Sequence, residues 1–202
     1  SYLEIPMDIL MNEAGWEVES PRINATPPRI GPERNSAIEA LELIQAAKKP
    51  MMMVGTSVKW SSAQAELLRF LGITDIPAYA NGMGRGMLPR DSKHLFNTTR
   101  RGAMENADLV ILAGSILDFR LAFGQSIPKN AKIIQLEMDN TLVGHNRSSD
   151  VALVGNLAVS FDLLSDLIEQ EKLNISFTPY ADELRAKEAA ARAKAAAAAL
   201  DD

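Results

Sequence analysis

Short apolar runs alternate along this chain with stretches in which apolar residues recur every three or four positions. The runs fall at residues 51–54 (MMMV), 76–80 (IPAYA), 95–97 (LFN), 108–113 (DLVILA), 131–139 (AKIIQLEMD) and 150–154 (DVALV). Near-continuous apolar strands of this length belong to a parallel sheet buried on both faces. The intervening stretches read as helices. One carries Ile38, Leu41, Ile44 and Gln45 and ends near Lys48-Lys49-Pro50. A second, capped by Ser61 or Ser62, runs through Leu67, Leu68, Phe70 and Leu71 to Gly72. A third spans 99–107, and a fourth follows an Asn156 cap with Val159, Leu163, Leu164, Leu167 and Ile168. Strand–helix–strand crossovers are right-handed almost without exception. The expectation is an α/β fold, a doubly wound six-stranded parallel sheet flanked by helices.

The ends read differently. Residues 2–5 resemble a short strand with nothing upstream to pair with it, the last strand of a preceding domain; the alternative is a tag remnant at Ser1 before a natural start. Residues 13–32 form a connector, because Pro21, Pro27, Pro28, Gly31 and Pro32 oppose a long helix. Residues 180–200 are Ala-rich with Arg, Lys and Glu, so their helix propensity is high and their apolar face weak. Little tertiary packing is expected there; the reading is a linker helix leading to another domain, and the alternative is an oligomer contact. The division is therefore 1–32 (end of a preceding domain and connector), 33–175 (central domain) and 176–202 (helical linker).

Composition narrows the chemistry. Cysteine is absent, which excludes disulfides, thiolate metal sites, iron–sulfur clusters and a cysteine nucleophile. Two histidines, His94 and His145, leave little for an imidazole relay or a His-rich metal site. The net charge of −5 and pI near 5.2 produce no field that attracts nucleic acid. Arg90, Lys93, Arg100 and Arg101 are one local basic cluster. No apolar run is long enough to span a membrane, and a cytoplasmic protein is expected.

In an open parallel sheet, ligands lie beyond the carboxyl ends of the strands, where the crossovers change direction. Gly55-Thr56 and Gly114-Ser115 occupy such ends. The loop Gly82-Met83-Gly84-Arg85-Gly86 can cradle a phosphate with free N–H groups or merely turn tightly. It is neither G-x-G-x-x-G at the first strand–helix turn nor a P-loop, since no G-K-S/T follows. Asp118 can hold a ribose hydroxyl or cap a helix. Asp139 fits a ribose or adenine contact, and Arg120 can pair with a phosphate or with Asp118. No activated nucleophile, poised general base or ordered metal site is visible, so no catalytic or metal residue is assigned.

Five segments in order resemble one family. LEIPMDILMN is similar to a domain crossing written L-D-I/L-P-x-D. KKPMMMVGTSV, MGRGMLPRDSKHLF, ENADLVILAGSILDFR and IIQLEMDNTLVGHNRSSDVALVGN follow at matching spacing. Together they resemble the central domain of thiamine-diphosphate-dependent enzymes such as acetolactate synthase, benzaldehyde lyase, 2-hydroxyacyl-CoA lyase and oxalyl-CoA decarboxylase.

The resemblance implies a Rossmann-like sheet and a parent enzyme, a lyase or transferase, acting next to a carbonyl with thiamine diphosphate and Mg²⁺. It implies that the ligands of both lie in flanking pyrimidine- and diphosphate-binding domains of the same polypeptide. It also implies a homo-oligomer, dimer or tetramer, for the full-length protein. Some family members bind FAD, ADP or the nucleotide part of CoA in this domain, and others use it as a buttress. By matched position the nucleotide-facing residues are Gly55, Thr56, Met83, Gly84, Gly114, Ser115, Asp118, Arg120, Asp139 and Asn156. Ile116 stands where the family often has Arg, which disfavours FAD, and Asn140 stands where Pro is usual. A stand-alone nucleotide- or CoA-binding module of the same fold is the alternative.

Overall fold

Six parallel strands form one sheet in the order β3-β2-β1-β4-β5-β6 in the computed structural model, which describes residues 2–13, 15 and 28–198. They are β1 (Pro50–Val54), β2 (Ala78–Ala80), β3 (Leu95–Phe96), β4 (Leu109–Ala113), β5 (Lys132–Glu137) and β6 (Val151–Val154). β1 and β4 are buried along their whole length. Their side chains alternate between two cores, as strand geometry requires. Met52, Val54, Ile111, Ala113, Ile134 and Leu136 face helices α2 (Arg34–Ala46), α4 (Gln64–Thr74) and α6 (Leu157–Gln170). Met51, Met53, Val110, Leu112 and Ile133 face the other layer, with Met104 of α5 (Arg100–Glu105) and Leu184 of α7 (Thr178–Ala198). The two remaining helices are α1 (Met7–Leu10) and α3 (Thr56–Trp60). No helix of the described residues is long and apolar enough to cross a membrane.

Several local expectations are corrected. Residues 2–5 join no ladder and lead into α1. The second predicted strand begins only at Ala78. α4 is not capped by Ser61 or Ser62. The Ser61 hydroxyl instead accepts from the Leu157 amide at 3.0 Å, stitching α3 to α6, and Ser62 takes a left-handed conformation. α4 also passes through Gly72 to Thr74 and closes on left-handed Asp75, whose amide donates to Leu71 O. In α2 the buried stripe is Ala37, Ala40, Leu41 and Ile44, while Ile38 faces outward. The expected Asn156 cap forms, accepting from Ala158 N at 3.0 Å. Most of the 13–32 connector lies outside the described residues.

The largest correction concerns α7. Its weak apolar face does pack: Ala181 and Leu184 are buried. The decisive contact is polar. The Glu188 carboxylate is 4% exposed and accepts from the Asn97 amide (2.6 Å), the Thr99 amide (3.3 Å) and the Thr99 hydroxyl (3.2 Å). These donors lie between β3 and α5 and have no ladder to satisfy them. A buried donor must find a partner, and Glu188 supplies it.

Burial pushes the Glu188 carboxyl up, but the amides of Asn97, Thr99 and Thr98 outweigh it and hold the group below the ordinary glutamate value. A carboxyl depressed in this way stabilises the fold above its unfolded pKa. That contribution is lost as pH falls through the folded value. Protection factors for amides of α7 and of the β3–α5 loop are therefore expected to fall selectively below about pH 4. At neutral pH, Glu188→Ala should cost about 1–3 kcal/mol in urea unfolding, because it orphans the three donors. Unchanged stability would show that α7 is not held through this carboxylate.

Candidate functional site

The strand order reverses between β1 and β4, whose crossovers leave toward opposite faces. A cavity of about 160 Å³ opens there. Its base is backbone. The Gly55 amide donates to Ala113 O at 2.8 Å, and the Ser57 amide to Gly114 O at 3.3 Å. A β-carbon at Gly55 would lie 2.2 Å from the Gly114 carbonyl oxygen. Gly114 has φ +62°, and a β-carbon there would press on Ser57 and the Val58 amide. Only glycine permits both the close approach and the left-handed turn.

Of the ten residues matched to nucleotide-facing positions, five line this cavity: Gly55, Thr56, Gly114, Ser115 and Arg120. The other five stand behind it or apart from it. Gly84 is buried in a 3-10 turn, Gly82–Gly84, where a β-carbon would lie 2.2 Å from Val54 O, and Met83 projects outward. Asp118 caps the next turn, accepting from Arg120 N at 2.9 Å, and also accepts from the Arg120 guanidinium at 2.9 and 2.5 Å. That ion pair, first of all, holds the Asp118 carboxyl below its ordinary range and keeps Arg120 charged. Asp139 is exposed and turned onto Thr141, accepting from its hydroxyl at 2.7 Å and its amide at 2.9 Å. Asn156 caps α6 at the end of β6.

The lining also includes Gly82 of the glycine loop, Ile116, and four residues not singled out beforehand: Ser57, Asn81, Glu137 and Leu142. Glu137 matters most. It ends β5, is 1% exposed, and its Oε1 accepts from Ser57 Oγ at 2.5 Å and from Met138 N at 2.8 Å. The signal was present in the sequence. A carboxylate inside an apolar parallel strand must have a partner, whereas Asp139 lies two residues beyond, outside the sheet. Ser57 and Glu137 have no imidazole beside them in the lining, so the serine is a hydrogen-bond donor here, not an activated nucleophile.

The family sequence model described as thiamine pyrophosphate enzyme, central domain, matches residues 37–167. The chain belongs to this family. It is 28% identical to the acetolactate synthase large subunit of Mycobacterium tuberculosis over 165 residues, covering 82% of this chain and 30% of that protein. It is 34% identical to 2-hydroxyacyl-CoA lyase 2 of Bos taurus over 163 residues, covering 77% of this chain and 26% of the relative. The chain thus spans about a third or less of the length of these curated relatives. A benzoylformate decarboxylase structure from Polynucleobacter necessarius shares the fold, with TM-score 0.58 and 19% identity over 75% of this chain and 31% of that one.

Membership implies thiamine diphosphate with a divalent cation, and the residues present can be tested for a fit. Among the described residues, no three acidic or imidazole side chains are grouped to hold a metal ion. No metal-ligand set for that cofactor is present among the described residues, and no step of its chemistry is assigned to them. The central domain supplies glycine backbone at Gly55, Gly82 and Gly114, hydroxyls at Thr56 and Ser115, a cation at Arg120 and an acceptor at Glu137.

Gly55→Ala tests the base of the crevice. Its methyl group meets backbone, not a movable side chain, so β1 and β4 must part at their carboxyl ends. A loss of about 3 kcal/mol or more is expected in denaturant unfolding. A loss below about 1 kcal/mol would mean that the contact relaxes freely.

Proposed function

We propose that this chain is the supporting central domain of a thiamine-diphosphate-dependent enzyme that makes or breaks a carbon–carbon bond beside a carbonyl. We further propose that its β1–β4 crevice takes the ADP part of a nucleotide or of CoA. The observation that carries the second reading is the glycine-based cavity at the strand-order reversal, with one cation and one buried carboxylate on its walls. Backbone at Gly55 and Gly114 leaves room for a diphosphate to approach, and Thr56 and Ser115 donate to it. Arg120 neutralises it, oriented by Asp118. Glu137 accepts from ribose hydroxyls, in exchange for its bond to Ser57. Gly84 and Met83 shape the loop over the β1 end, and Asp139 and Asn156 hold the turns beyond β5 and β6. Thiamine chemistry belongs to the cofactor, whose ligands are expected on other segments of the parent polypeptide.

ADP is expected to protect Gly55 and Gly114 amides from exchange, while FAD binds weakly or not at all because Ile116 offers no charge to a phosphate. Ile116→Arg should strengthen binding of an ADP-bearing ligand by roughly 1–2 kcal/mol where the side chain reaches it. A yellow protein carrying stoichiometric flavin would overturn the FAD part. ADP protection confined to other strands would overturn the location.

The chain alone is expected to show no turnover and no micromolar binding of thiamine diphosphate with Mg²⁺ by calorimetry. The full-length parent, expected as a dimer or tetramer, should act with both on pyruvate, a benzoin-type ketol or a 2-hydroxyacyl-CoA. Micromolar cofactor binding by this chain would reject the supporting role. A parent inert toward all three substrates but active in nicotinamide-dependent hydride transfer would reject the assignment.

A further inference from the structure

The crevice uses none of the basic cluster, and the fold divides that cluster among different tasks. Lys93 reaches Asp75 at 2.9 Å, and Arg101 reaches Glu105 at 2.8 Å. Arg90 lines a groove against α7 together with Arg185, Arg192 and Glu188. Arg100 instead shares a separate cavity of about 280 Å³ with Arg85, which comes from the glycine loop. Among the described residues, neither Arg85 nor Arg100 has a carboxylate within ion-pair distance, whereas Arg101, Arg120, Arg185 and Arg192 each do.

The surroundings make that pairing unusual. Phe96, Leu95 and Tyr79 give the cavity an apolar side, the Tyr79 hydroxyl being engaged with Thr99 at 2.9 Å. Asn97 is the neutral polar wall, and no acidic side chain lines the space. The cavity lies beyond the carboxyl ends of β2 and β3, on the same edge of the sheet as the crevice. The two openings are separated by the loop 81–86, which gives Asn81 and Gly82 to one and Arg85 and Gly86 to the other. Two guanidiniums, one from the glycine loop and one from the first turn of α5, line one partly apolar space and repel each other. An oxyanion between them removes the repulsion, and the planar fork of arginine matches phosphate oxygens.

We propose that Arg85 and Arg100 form a second anion site, distinct from the crevice, for the phosphate group of a small molecule. A dianionic phosphate matches two positive charges where a single carboxylate matches one.

The probe is inorganic phosphate, titrated into the chain at constant ionic strength, with acetate as the carboxylate arm. Side-chain Nε–H resonances of Arg85 and Arg100 should move together and saturate with phosphate, and respond far less to acetate. Arg85→Gln and Arg100→Gln should each weaken binding about tenfold. Arg90→Gln, which lines a different opening, should leave it unchanged. Neither Arg85 nor Arg100 has a described side-chain partner, and a circular-dichroism melt confirms folding of each variant. The wild-type resonances supply the reading if a variant fails to fold. Absence of saturable shifts at Arg85 and Arg100 overturns the proposal. So does binding that survives both substitutions, disappears in Arg120→Gln, or responds equally to acetate.

Discussion

The close approach of β1 to β4 at their carboxyl ends is the constraint on which this molecule depends. Gly55 and Gly114 touch through backbone, with no side chain between them. This contact continues the ladder that pairs Val54 with Ala113 one step beyond the strands. It also sets the point from which one crossover leaves toward α3 and the other toward the turn at Phe119–Gly124. The cavity exists because the two chains diverge immediately after touching. A larger residue at either position would separate the strands and fill the space at the same time, so stability and site share one cause.

The remaining layers follow from a sheet that is apolar on both faces. Alternate residues of β1, β4 and β5 require cover on each side, and a helix supplies it wherever a stripe of apolar residues exists. α6 has such a stripe, with Phe161 placed 5.6 Å from Phe70 of α4, ring centre to ring centre. α7 has almost none, yet it docks, because Glu188 satisfies amides that the two-residue strand β3 leaves unpaired. Apolar cover and polar satisfaction thus act at opposite ends of the same sheet.

What was legible in the sequence was whatever has a local cause. The six strands could be read because each is a compact apolar run, and Asn156 could be read as a cap because its bond is to an amide two residues away. Ser61 could not. Its partner is Leu157, 96 residues later, and nothing near Ser61 announces that choice. The docking of α7 failed for the same reason, since its partner loop lies 91 residues upstream. At the crevice, the glycines were visible as strand ends, while Asn81 and Leu142 arrive through turns whose direction only the fold sets. Glu137 was hidden by its neighbour: the eye stops at Asp139, the acid after the strand, although the acid inside the strand is the one forced to face something.

The polar groups of the crevice are already committed to one another, and this limits what the site can do. Arg120 is held by Asp118 through two side-chain bonds, and Glu137 by Ser57 through one. An entering anion finds Arg120 oriented but shared. An entering hydroxyl must replace the serine at Glu137 and leave Ser57 to find another acceptor. Each bond gained on binding is therefore largely an exchange, worth the difference between two hydrogen bonds and not the whole of one. The Gly55 and Gly114 amides are committed as well, to Ala113 O and Leu136 O at 2.8 Å, so what the two glycines contribute is room for close approach and not free donors. Such a site selects shape first and charge second. Its lining includes no histidine, and Glu137, its one carboxylate, is already held by the Ser57 hydroxyl and the Met138 amide.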